Sequence, residues 1–162
     1  MPKNRSRVRN VRPDTVDFRD LPFRPSIAIT PRPTVFPEIP LKVKSQGETN
    51  ACSGFALSLV VEYLLRKSGR DARAEISPYM LYSMARRYDE FSGAADDGSS
   101  LRGALKGWQK HGACLDRLWK TGINVPPAPR SAEDDWWLDA VRRSLGAYYR
   151  IDIRQISDSR AS

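Results

Sequence analysis

The 162 residues carry a net charge of +8, with 40% hydrophobic and 28% charged side chains, the balance of one folded domain around a single core. No run approaches the roughly 18 consecutive apolar residues of a membrane span, and no apolar run follows the basic first ten residues, which argues against membrane insertion and a secretory signal and for a cytoplasmic chain. Two cysteines and one histidine are too few for a disulfide framework or a four-ligand zinc site, so no metal or other cofactor is expected and a reducing compartment fits best.

In chain order, Lys3, Arg5, Arg7, Arg9 and Arg12 precede the first acid, Asp14. Such an arm can bind nucleic acid, but no aromatics interleave its arginines for base stacking, so it reads as a solvated tail and nucleic acid is not an expected partner. Pro22, Pro25, Pro31, Pro33, Pro37 and Pro40 then exclude helix and central strand. Residues 1–40 are read as an extended basic, proline-rich segment wrapping a core formed by residues 41–162.

The strongest helix runs from Cys52 to about Lys67. It is apolar on most sides, with a single polar stripe of Ser58, Glu62 and Arg66, which predicts a buried helix with Glu62 and Arg66 paired at its surface. Gly69 suits its end. Ser77 is an N-cap with Pro78 at the first helical position, so a second helix begins there, packing through Tyr79, Met80, Tyr82, Met84 and Tyr88. Residues 91–100 read as a loop rich in Gly, Asp and Ser. A third helix spans about Leu101 to His111, with Leu101, Leu105 and Trp108 as its face and Gly112 as its stop. Ser131 and Asp134 have capping spacing for a fourth helix through about Leu145. Finally, Tyr149, Ile151 and Ile153 alternate with Arg150, Asp152 and Arg154 as in a half-buried strand, which implies a sheet to follow.

One stretch is chemically specific: Gln46-Gly47-Glu48-Thr49-Asn50-Ala51-Cys52-Ser53-Gly54-Phe55-Ala56. Cys52 stands at the mouth of the most buried helix, where free N–H groups and the positive end of the dipole favour thiolate over thiol. Its own N–H and the side-chain amide of Gln46, six residues earlier across a glycine turn, can converge on an oxyanion. A cysteine at a buried helix start is more often an inert small hydrophobe, and Cys114 is taken as one.

This stretch resembles the active-site loop of papain-like cysteine peptidases. Val16-Asp17-Phe18-Arg19 resembles the start of the mature family domain, Ile76-Ser77-Pro78-Tyr79-Met80-Leu81 the start of its second helix, and Gly98 to Trp119 its glycine-rich loop, short helix and turn. The resemblance covers about residues 14–155. It implies an α+β fold of two halves, of which this chain carries mainly the helical one, the β-sheet half being largely absent. It implies a thiol protease with Cys52 as nucleophile and Gln46 in the oxyanion hole. Peptides or proteins would be the substrates, and a second chain or a missing C-terminal half would supply the catalytic His and Asn. The chain alone would then be inactive, and a non-catalytic binding or regulatory module is the alternative. Two positions depart from the family: Thr49 stands where a disulfide-forming Cys is frequent, and Gly54-Phe55 stands where a Trp is usual. His111 is read as a surface or helix C-terminal residue, without a catalytic role.

Overall fold

The computed structural model describes residues 11–12, 17–24, 38–90, 95–122, 128, 131–132 and 135–151. Its elements are β1 (Val11–Arg12), α1 (Cys52–Lys67), α2 (Pro78–Arg87), β2 (Ser99–Ser100), α3 (Leu101–His111), a 3-10 turn at Asp116–Leu118, α4 (Trp136–Ala140) and a second 3-10 turn at Val141–Arg143. β1 and β2 pair in parallel, with Val11 opposite Ser99.

The first three helices start and stop where local chemistry dictates. Ser77 Oγ accepts the Met80 N–H at 3.1 Å and Pro78 follows as the first helical residue, so α2 needs nothing further at its start. Ser100 caps α3 in the same way through the Gly103 N–H. α1 ends on Gly69 at φ +68°, with the Gly69 N–H on the Arg66 carbonyl and the Arg70 N–H on the Leu65 carbonyl, a Schellman closure.

α2 packs between α1 and α3. Glycine makes the close approach possible. A Cβ on Gly54 of α1 would strike the Pro78 carbonyl, and one on Gly103 of α3 would sit 2.7 Å from the Ala85 carbonyl. The core is then Leu57 and Val61 from α1, Met80, Leu81 and Met84 from α2, Ala104 and Trp108 from α3, with Ile76, Cys114 and Trp119 between them.

Four expectations are corrected. The polar stripe of α1 faces inward: Ser58 and Glu62 are 0% and 2% exposed, while Val60 and Leu64 are 48% and 44% exposed. Ser58 Oγ returns to the Phe55 carbonyl, and Glu62 is paired with Lys44 rather than Arg66, which instead donates to the Pro40 carbonyl. On α3 the expected face holds at Trp108, which is buried, and at Leu105, which packs against the core, but not at Leu101, which is 53% exposed; Gly103 and Gly107 face α2, where a Cβ would meet the Ala85 and Met84 backbone. α4 begins after Asp135, whose carboxylate accepts the Trp137 N–H at 2.8 Å, and is helical only to Ala140; Asp134 lies outside the described residues. The alternation at the end yields one bridge instead of a half-buried strand: Arg150 pairs with Pro22, the Phe23 N–H donating to the Arg150 carbonyl and the Arg150 N–H to the Leu21 carbonyl, both at 2.8 Å. Tyr149 and Ile151 remain exposed, and Ile153 lies outside the described residues.

Within residues 17–24, Asp17 and Asp20 reach α3 through ion pairs, while Phe18, Leu21 and Phe23 stay exposed. Arg102, buried on α3, binds Asp20 at 2.5 Å and faces Asp17 at 3.5 Å. Asp17 also accepts three hydrogen bonds from Arg19, which hold its carboxyl well below the usual range.

Candidate active site

The turn before α1 is held by its own side chains. Gly47 sits at φ +63°, the left-handed region glycine enters without a Cβ penalty, and it reverses the chain between Gln46 and Thr49. Gln46 Nε2 donates to the Thr49 carbonyl at 2.8 Å, and Thr49 Oγ1 donates to the Gln46 carbonyl at 2.8 Å. That bond uses one hydrogen of the half-buried Gln46 amide and leaves a second.

Cys52 is the first residue of α1 and half-buried, its Sγ 3.9 Å from the Asn50 carbonyl. Ala51 at the N-cap offers no side-chain acceptor, and the first turn contains no acid. Neither the cap nor the first turn of α1 therefore carries a side chain that offsets the positive end of the helix at the thiol. Cys114 is different in kind: it is fully buried, and burial pushes its thiol up to about 12.

Two anchors hold this loop, and neither was visible in the sequence. On one side Lys44 Nζ binds Glu62 at 2.6 Å and the Ile76 carbonyl at 2.7 Å, while Glu62 accepts the Ile76 N–H at 2.8 Å. On the other, Asp96 accepts the Asn50 N–H at 3.0 Å and the Tyr82 hydroxyl at 2.6 Å, and Asn50 Nδ2 donates to the Asp96 carbonyl. The Gly98 N–H completes the set on the Tyr82 oxygen at 3.0 Å. Burial, then the Asp96 bond, push the Tyr82 phenol up to about 12. Next to Cys52, Ser53 Oγ meets Ser99 Oγ, so the glycine-rich loop and β2 line the thiol's side of the molecule. Ala51, Phe55 and Tyr82 form a small apolar cluster beneath, with Tyr79 edge-on to Phe55 at 5.4 Å. Thr49 leaves the loop without a disulfide partner, and the Asn50–Asp96 bonds tie it to the glycine-rich loop. The sequence signal was slight: an acid in a glycine-rich stretch.

His111 does close α3 at its C-terminal end, as expected, but it is buried rather than on the surface. Its Nε2 meets the Tyr88 hydroxyl at 2.7 Å, and its ring packs 4.9 Å from Trp137. Its Nδ1 has no hydrogen-bond partner among the described residues. Burial, aided by Arg87, pushes it below the ordinary imidazole value. α3 begins beside Ser53, and the ten steps from Leu101 to His111 span about 15 Å, so this imidazole lies at the far end from Cys52. Among the described residues no cluster of three or more His, Cys, Asp or Glu is placed to hold a metal ion, and no helix is long and apolar enough to cross a membrane.

No family model and no curated protein matches the chain. Solved structures do. The crystal structure of xylellain, a cysteine protease from Xylella fastidiosa, superposes with a TM-score of 0.74 at 23% identity, over 94% of this chain. A digestive procathepsin L 3 of the Tenebrio molitor larval midgut superposes over 75% of it, with a TM-score of 0.51 at 20% identity. The chain spans 62% of xylellain and 38% of the procathepsin. Its fold is that of the papain-like cysteine proteases, and its helix-rich, strand-poor architecture corresponds to the helical half of that fold.

Proposed function

We propose that this chain is the nucleophile-bearing part of a cysteine-type peptidase that cleaves peptides or proteins through a thioester. The observation that carries the reading is the half-buried Cys52 at the uncapped start of α1, with Gln46 in the turn leading into it, in a papain-like fold. In this reading the Cys52 thiolate attacks the scissile carbonyl carbon, and the carbonyl π electrons move to oxygen. The Cys52 N–H and the second Gln46 amide hydrogen hold that oxyanion, each donor supplying about 3 kcal/mol in the transition state. Collapse breaks the C–N bond, the amine departs with a proton, and water hydrolyses the thioester to restore the thiol.

The imidazole that moves those protons, and an Asn to orient it, come from polypeptide outside these 162 residues. Two facts support this: the chain spans 62% of xylellain, and its single histidine is enclosed by Tyr88 and Trp137. A third is the outer face of α1. Cys52, Ala56, Val60 and Leu64 follow one another at i, i+4 spacing, so an apolar stripe runs back from the thiol, fit to be covered by whatever brings the base. The enclosure of His111 also favours a second reading of the isolated chain, as a binding module without turnover. Free thiols at both cysteines suit a cytoplasmic setting.

The test is the alkylation rate of Cys52 by iodoacetamide against pH, with Cys114 as control in the same chain. A plateau at Cys52 reaching below pH ~7, with Cys114 inert, is the expected result. A Cys52 rate that rises only near the ordinary thiol value of about 8.5 would leave the binding-module reading in its place.

A further inference from the structure

We propose that a second site, at the opposite end of α1 from Cys52, binds a single-chain anionic amphiphile. Arg70 and Arg142 would hold its carboxylate, and its tail would lie on Leu65 and Leu145, over the edge of Trp108. These side chains line an open groove of about 410 Å³, inside the range of small-molecule sites. Cys52 and Leu65 are thirteen steps apart on one helix, about 20 Å, so the groove is separate from the thiol.

Charge selects the ligand. Three arginines line the groove, but Arg143 is already bound, to Asp71 at 2.6 Å and to Asp139 at 2.9 Å. That pairing draws the chain around residue 71 against the chain around residue 143, which brings their neighbours Arg70 and Arg142 to one rim. Both are exposed, and neither has an ion-pair partner among the described residues. Three guanidinium groups against two carboxylates leave positive charge in excess, which favours an anion.

Three carbonyls at the end of α1 are already occupied: Leu64, Leu65 and Arg66 accept the N–H groups of Ser68, Arg70 and Gly69, so they compete less for the arginines. Trp108 Nε1 donates to the Arg143 carbonyl at 2.8 Å, so the indole has no polar atom left over for the ligand.

Dodecanoate, titrated below its micelle-forming concentration into the full chain and followed by tryptophan fluorescence and thermal melting, is the probe. It should saturate one site and raise the melting temperature. Dodecylamine, of the same tail length and opposite charge, should bind at least tenfold more weakly. Arg70→Glu and Arg142→Glu should each weaken dodecanoate at least tenfold, and the double reversal should prefer dodecylamine. Arg142→Lys should retain most of the binding, and unchanged melts of the unliganded variants will show that the fold persists. Equal affinity for the two amphiphiles, indifference to both charge reversals, or no saturable binding would each overturn the proposal. None of these readouts depends on the reactivity of Cys52.

Discussion

Glu62 is a carboxylate on the inner face of α1, where a charge is costly unless it is paired and hydrogen-bonded. It is both, and its partner Lys44 lies two residues before Gln46. The pair therefore couples the core helix to the turn that leads into Cys52. Glu62→Ala leaves the Ile76 N–H unpaired and the Lys44 ammonium with only the Ile76 carbonyl, and should lower unfolding free energy in urea by about 3 kcal/mol. Glu62→Gln keeps an acceptor for Ile76 and should cost about 1 kcal/mol. A loss under ~1 kcal/mol for the alanine variant would mean that the ion pair does not stabilise the fold. The sequence could not reveal this partnership. Spacing along one helix pointed to Arg66, whereas Lys44 is 18 residues upstream and reaches Glu62 only because the tertiary fold returns the chain there. Asp96, 46 residues from Asn50, escaped for the same reason. Gln46 and Cys52 stood out because their chemistry is local: a turn glycine, a helix start, and six residues between them.

At the scale of elements, the helices were legible where capping decides them and illegible where packing does. α1 stops at Gly69 and α2 starts at Ser77 and Pro78 as the sequence predicts, because those residues act on their own backbone. Which face turns inward depends on the neighbour: α1 and α3 set Gly54, Gly103 and Gly107 against the α2 backbone, while Phe55 and Trp108 fill the space beside them. Gly54→Ala tests this directly. Helix propensity alone would stabilise it by roughly 1 kcal/mol, but the new Cβ meets the Pro78 carbonyl and the Tyr82 backbone, neither of which can yield without moving α2. A net loss of about 2 kcal/mol is expected by urea denaturation, and a gain would show that α1 and α2 are not in close contact. The junction of α3 with α4 carries a pH dependence. His111 is held below its ordinary 6.5 by burial and by Arg87, so the unfolded chain takes up the proton first. Its contribution is intact above pH ~6.5 and is lost as pH falls toward the folded value. Asp116, raised by burial, acts in the opposite sense nearer the carboxylate range. The difference between wild type and His111→Gln isolates the imidazole: urea midpoints should converge as pH drops from 8 to 5. Parallel midpoints would mean that His111 titrates alike in both states.

For the whole molecule, the chain's two flanks meet at Asp20. Its carboxylate binds Arg102 on α3 and, at 3.1 Å, Arg150 near the far end of the sequence. The Pro22–Arg150 bridge lies alongside, so residues 17–24 and 148–151 form one clasp over α3. The alternating pattern around Ile151 was read as a strand awaiting a later sheet, but its described pairing partner comes from the proline-rich start, because a bridge needs only two free backbone groups on each side and the upstream segment offers them. Proline removes donors, yet Phe23 keeps its N–H and Leu21 its carbonyl, and those two atoms make the bridge. Asp20→Ala should release both flanks together while leaving the α1–α2–α3 core folded. The amide hydrogens of Phe23 and Arg150 should then exchange with solvent at least tenfold faster, with those of Met84 and Ala85 in α2 unchanged, since local opening and global unfolding draw on separate free energies. If only one of the two amides accelerates, the flanks are held independently. If the α2 amides accelerate equally, the clasp is part of the global fold, and removing it unfolds the core.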